Sequence, residues 1–285
     1  RCCPQHVDYC ERRPGGPTLL PPCREKVDGL ALLEVSDIGV RFGGVVALAG
    51  LSFTIDEGQV CALIGPNGAG KTTLFNVVSR LYEPSEGSVR FADVDLLGLA
   101  PHRIAPLGIA RSFQNLALVP GLSVLDNVII GSHSRTTGGF WAAALWVPLL
   151  RQERRVRARA MEILDGLQLA HLAARPCAGL PYGTLKRIEI ARSLMAEPRL
   201  LLLDEPASGL THGEVDELGD VILALREEHS LTVLLVEHHM GMVMRISDKV
   251  VVMELGQKIA EGTPSEVQAN PRVIAAYLGE PVEEH

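Results

Sequence analysis

Apolar and polar positions along this chain sort into short runs suited to a buried sheet, separated by longer stretches with helical spacing. Val60-Cys61-Ala62-Leu63-Ile64, Leu200 to Leu203 and Leu231 to Val236 are nearly continuous apolar runs. Runs of that length fit strands buried on both faces. Lys249 to Met253 adds a further strand. Leu32 to Phe42 and Val45 to Ile55 read as strands joined by a Gly43-Gly44 turn. Ser88 to Phe91 follows the turn Glu83-Pro84-Ser85-Glu86-Gly87, and Pro101 suits the first turn of a short helix. Helices are expected from Leu74 to about Leu81, Val124 to Gly131, Arg151 to Leu167, Gly183 to Met195 and Gly213 to Glu228. Strands alternating with helices predict parallel βαβ units, an α/β fold. The mainly helical block from about Ser112 to Glu197 predicts a lobe inserted between two halves of the sheet.

Composition narrows this picture. The 285 residues are 47% hydrophobic, enough for one large α/β domain or two modest ones. A net charge of −7 argues against a nucleic-acid binder, which shows a basic excess. No apolar run is long enough to span a bilayer; Phe140 to Leu150 is short and contains Pro148. The protein is therefore expected to be soluble or held at a membrane by a partner. Residues 1–30 carry Pro4, Pro14, Pro17, Pro21, Pro22, Cys2, Cys3, Cys10 and Cys23. They read as a disordered leader with free thiols, since the cysteine spacing fits no zinc pattern.

The densest chemistry lies in Gly65-Pro66-Asn67-Gly68-Ala69-Gly70-Lys71-Thr72-Thr73. This fits G-x-x-x-x-G-K-[ST] between a predicted strand and helix. Glycines let the backbone wrap a polyphosphate, and the helix N-terminus faces the anion. Lys71 would neutralise phosphate oxygens and Thr72 would offer a hydroxyl to Mg²⁺. A second site element is the strand ending in Asp204-Glu205-Pro206. At the carboxyl edge of a parallel sheet both carboxylates would face the crevice. Read as consecutive strand residues they should point to opposite faces and divide the work. Asp204 suits the Mg²⁺ shell through water, and Glu205 suits the attacking water as general base.

Together with Gln114, Leu180-Pro181-Tyr182-Gly183-Thr184 and His238, these pieces stand in an order that resembles the ATP-binding cassette (ABC) ATPases over about residues 31–280. The resemblance implies a P-loop NTPase (RecA-like) core with a mostly parallel sheet, an N-terminal antiparallel β subdomain and an inserted helical lobe at about 112–197. Residues 281–285 would be a tail. It implies that Phe42 stacks on adenine, that Gln114 touches Mg²⁺ and the attacking water, and that His238 contacts the γ-phosphate. Pro181-Tyr182-Gly183 would face the γ-phosphate held by a second, identical or different, ABC ATPase subunit. Pro181 stands where the family has serine, so a hydroxyl worth roughly 1.5–3 kcal/mol is missing. Thr184, Thr211 and His239 also depart from the common pattern.

Finer segments resemble branched-chain amino-acid importer ATPases (LivG type): Arg41 to Leu48, Arg111-Ser112-Phe113-Gln114, Leu235 to Met240, Gly262-Thr263-Pro264 and Ala276-Tyr277-Leu278-Gly279. The lipopolysaccharide-export ATPase shares much of that tail. The resemblance implies ATP and Mg²⁺ as ligands, transmembrane permease subunits as partners, and a solute-binding protein acting indirectly. The subunit would sit on the cytoplasmic face of the plasma (inner) membrane, peripheral through the permease. A soluble ABC ATPase acting on ribosomes or DNA would carry tandem cassettes or basic arms. Phe140 to Leu150 suits either a permease contact or a local apolar turn. The arginines at 151, 154, 155, 157 and 159 suit a solvated helix face or contact with anionic lipid heads.

Overall fold

A computed structural model of the protein describes residues 31–112, 116–134 and 146–278. It opens with a hairpin of β1 (Ala31–Phe42) and β2 (Val45–Asp56) turning at Gly43-Gly44. β3 (Val60–Ile64) runs through the glycine-rich loop into α1 (Lys71–Val78). β4 (Glu86–Phe91), β5 (Val94–Asp95) and β6 (Ile109–Arg111) follow. Three helices come next: α2 (Val124–Ile130), α3 (Trp146–Gly166) and α4 (Tyr182–Leu194). The chain then alternates through β7 (Leu200–Asp204), α5 (His212–His229), β8 (Thr232–Val236), α6 (Met240–Ile246) and β9 (Lys249–Glu254). β10 (Gln257–Gly262), α7 (Pro264–Gln268) and α8 (Pro271–Leu278) finish it.

Two sheets result. β2-β1-β4-β5 is antiparallel. The other runs β10-β9-β3-β8-β7-β6, parallel throughout except for the β10 edge. Every residue of β3, β7 and β8 is buried. Their alternating side chains feed separate cores, because successive residues point to opposite faces. Leu201, Leu203, Val233 and Leu235 join α4 and α5 on one face, whereas Leu200, Leu202, Leu234 and Val236 join α1 and the antiparallel sheet on the other. Each leucine buried this way contributes roughly 1.5–3 kcal/mol relative to exposure. No helix of the described residues is long and apolar enough to cross a membrane.

Several elements differ from the sequence reading. α1 ends at Val78 rather than near Leu81, because Arg80 adopts a left-handed φ of 58° and the Leu81 N–H turns back to the Asn76 carbonyl. β5, β6, α6, β10, α7 and α8 are additions. β6 has three residues, too few for a periodicity to register, and owes its place to pairing with β7. The leader 1–30 and residues 140–145 of the apolar segment lie outside the described residues.

Candidate functional site

The carboxyl ends of β3, β7 and β8 carry the groups that sequence reading singled out. After β3 the glycine-rich loop bends through positive φ at Gly65 (155°), Gly68 (82°) and Gly70 (96°). Close approach demands two of these glycines. A Cβ on Gly65 would lie 2.1 Å from the Met253 carbonyl oxygen, and one on Gly70 2.5 Å from that of Ala47. α1 starts at Gly70 with no side-chain cap, so its first amides remain available to an anion. Lys71 is buried, and its ammonium donates to the carbonyls of Gly65 (2.7 Å) and Pro66 (2.9 Å). Burial pushes this ammonium below its ordinary pKa, while Glu205 and Asp204 pull it back up. Thr72 is exposed beside it. Tyr277 of α8 reaches the same loop by a hydrogen bond with the Gly65 backbone, and burial pushes its phenol up to about 12.

Asp204 ends β7 and is buried. Its Oδ2 accepts from Arg111 Nη2 at 2.9 Å, while Oδ1 is buried with no hydrogen-bond partner. Burial raises the carboxyl's pKa against the lowering pull of Arg111. Arg111 is fixed in turn by Asn76 Oδ1 (2.7 Å) and by the Phe75 ring, 5.4 Å away. It also lines a mainly apolar cavity of about 330 Å³ with Leu81, Ile104, Ile109, Gly131 and Arg192.

Glu205 corrects one expectation. It does not continue the strand on the opposite face from Asp204. It leaves β7 in a left-handed conformation (φ 51°), with its N–H donating to the Val236 carbonyl at 2.9 Å. That turn re-aims the side chain toward β8, where Glu205 Oε1 lies 2.6 Å from His238 Nε2. The next residue back, Glu237, is buried and accepts from the Ala207 N–H (2.6 Å) and the His238 N–H (2.9 Å).

Phe42 lies at the end of β1, half-exposed and edge-to-face with Tyr82 at 5.2 Å. Its hairpin touches the glycine-rich loop through Ala47 and Leu48, the atoms nearest Gly70. Tyr182 and Gly183 open α4 behind Pro181, again with no side-chain cap. The body of α4 packs into the core on the other face of the sheet from α1. The Tyr182 ring lies against Gly209, and the Lys186 ammonium is 5.6 Å from its centroid. Gln114 lies outside the described residues. Sequence reading missed Arg111 and Glu237 as site-shaping groups. For Glu237 the signal was present: like Asp204, it is a carboxylate at the end of an apolar strand.

A phosphate-sized anion fits the loop and α1 amides. The orphaned Asp204 oxygen and the Thr72 hydroxyl are donors of the hard oxygen type that Mg²⁺ prefers.

Comparison with known proteins bears on the family and the fold. Residues 48–208 match the family described as ABC transporter, and residues 257–283 match a family described as branched-chain amino acid ATP-binding cassette transporter. The high-affinity branched-chain amino acid transport ATP-binding protein BraF of Pseudomonas aeruginosa is 43% identical over 87% of this chain and 98% of its own. LivG of Escherichia coli, of the same description, is 39% identical with the same coverage. Among solved structures, the ADP conformation of an ATP-binding cassette from an ABC transporter superposes with a TM-score of 0.78. It is 32% identical and matches 88% of this chain and all of that one.

Proposed function

Since the chain belongs to the ABC transporter family of ATP-binding ATPases, we propose that it powers a membrane importer of branched-chain or related amino acids. One observation carries the catalytic reading: Glu205 and His238 are in contact at the sheet edge that also holds Lys71 and Asp204. ATP would lie on the phosphate loop, Gly65 to Thr73, with its adenine against Phe42. Lys71 would exchange the carbonyls of Gly65 and Pro66 for β- and γ-phosphate oxygens. Glu205 would take a proton from the attacking water. His238 would turn from Glu205 to the γ-phosphate, with Gln114 beside it. A magnesium ion held by Thr72, Gln114 and, through water, Asp204 would neutralise charge on the phosphates.

Two subunits would close on two ATPs, each site completed by Pro181-Tyr182-Gly183 of the partner. The uncapped start of α4 supports this, since a helix N-terminus there stabilises an anion. The domain reading is a single cassette over 31–280, with residues 1–30 as leader and 281–285 as tail. The apolar cavity beside Arg111 supports docking of a permease segment, which would hold the subunit on the cytoplasmic face of the inner membrane. Solute would be delivered by a separate binding protein. The experiment is Glu205→Gln: turnover is expected to fall by roughly 10²–10⁴-fold with MgATP binding retained. Hydrolysis at the parental rate would remove Glu205 from its role.

A further inference from the structure

Glu237 is a buried carboxylate directly before His238 in the chain. We infer that Glu237 is a positioning residue for hydrolysis, tying the loop that carries Glu205 to the loop that carries His238. The inference rests on the reading of Glu205 as base and His238 as phosphate contact.

The geometry is specific. Glu237 Oε1 accepts from the N–H of Ala207, two residues beyond Glu205, at 2.6 Å. Oε2 accepts from the His238 N–H at 2.9 Å and lies 3.1 Å from His239 Nδ1. The His239 N–H is longer, at 3.4 Å. One carboxylate thus spans two loops that are also joined by Glu205 N–H to the Val236 carbonyl and by the Glu205–His238 contact itself. The first of these precedes the turn. The second has to open when His238 turns to phosphate, so it cannot hold the loops in register during the reaction. The Glu237 bonds use main-chain donors and a side chain that does not meet the nucleotide. None of the Glu237 bonds uses the His238 ring, so turning that ring need not break them. Ala207 and Glu237 are both buried, so water does not compete for the Ala207 amide. Glutamine keeps the size of Glu237 but turns one end into a donor, which cannot serve both Ala207 and His238.

The test compares Glu237→Gln, Glu205→Gln and the double variant, with turnover normalised to sites titrated by MgATP. Glu237→Gln is expected to lose about 10- to 100-fold in kcat, the range for misplaced catalytic groups, with KM for ATP within about threefold of the parent. In the Glu205→Gln background, where the base is already gone, adding Glu237→Gln should slow residual single-turnover hydrolysis by less than about threefold, because groups acting as a unit are non-additive. A kcat within twofold of the parent, a loss carried by KM, or a full multiplicative loss in the double variant overturns the inference. Parental turnover in Glu205→Gln alone would instead sink the reading of Glu205.

Discussion

Two helix starts in this molecule look alike and are built differently. α1 begins at Gly70 and α4 at Pro181, and neither has a side-chain cap. α2 and α7 are closed by Ser123 and Thr263, and α5 by the Thr211–Glu214 pair. Such caps satisfy the first amides of α2, α5 and α7. α6, directly after His238, also lacks a side-chain cap, so α1 and α4 are set apart by what surrounds their free amides. α1 is locked: its loop is pinned by Met253 and Ala47, and Lys71 is buried. α4 is open, with exposed Pro181 and Tyr182. A rigid cradle beside an adaptable contact fits a machine in which one chain holds the nucleotide and the other comes and goes.

The sharpest way to break this comparison is Gly65→Ala. The new Cβ would meet a backbone carbonyl at 2.1 Å in a positive-φ conformation. We expect a loss of at least about 2 kcal/mol of stability and no measurable MgATP binding, checked by thermal denaturation and nucleotide titration. Parental values for both would mean that the loop is not rigid. A smaller effect is expected at the open start. Pro181→Ser restores a hydroxyl where the backbone (φ −55°, ψ 147°) already suits a serine N-cap. On the Glu205→Gln background, ATP-driven dimers of the variant should tighten by about 100-fold in sedimentation equilibrium, from two charge-assisted bonds at the low end of their range. Unchanged or weaker dimers would show that this turn does not meet phosphate.

The same contrast marks what the sequence could reveal. The phosphate loop was legible because its glycines and lysine carry their chemistry in a fixed local spacing. The β3, β7 and β8 strands were legible because burial on both faces demands unbroken apolar runs. The turn at Glu205 was not, since a left-handed residue with a side chain is chosen by its neighbours and leaves no local mark. Arg111 and Asp204 are 93 positions apart, and Ala207 and Glu237 are 30 apart. Such pairings depend on strand order, which hydrophobic pattern alone does not encode.

The central claim is that the amides of Gly65 to Thr73 and the Lys71 ammonium grip a nucleoside triphosphate. Isothermal titration of MgATP into the parent and into Lys71→Glu tests it directly. The account predicts saturable heat at one site per chain in the parent and none in the variant, with both folded. Equal binding by the two, or no heat from the folded parent, would contradict it.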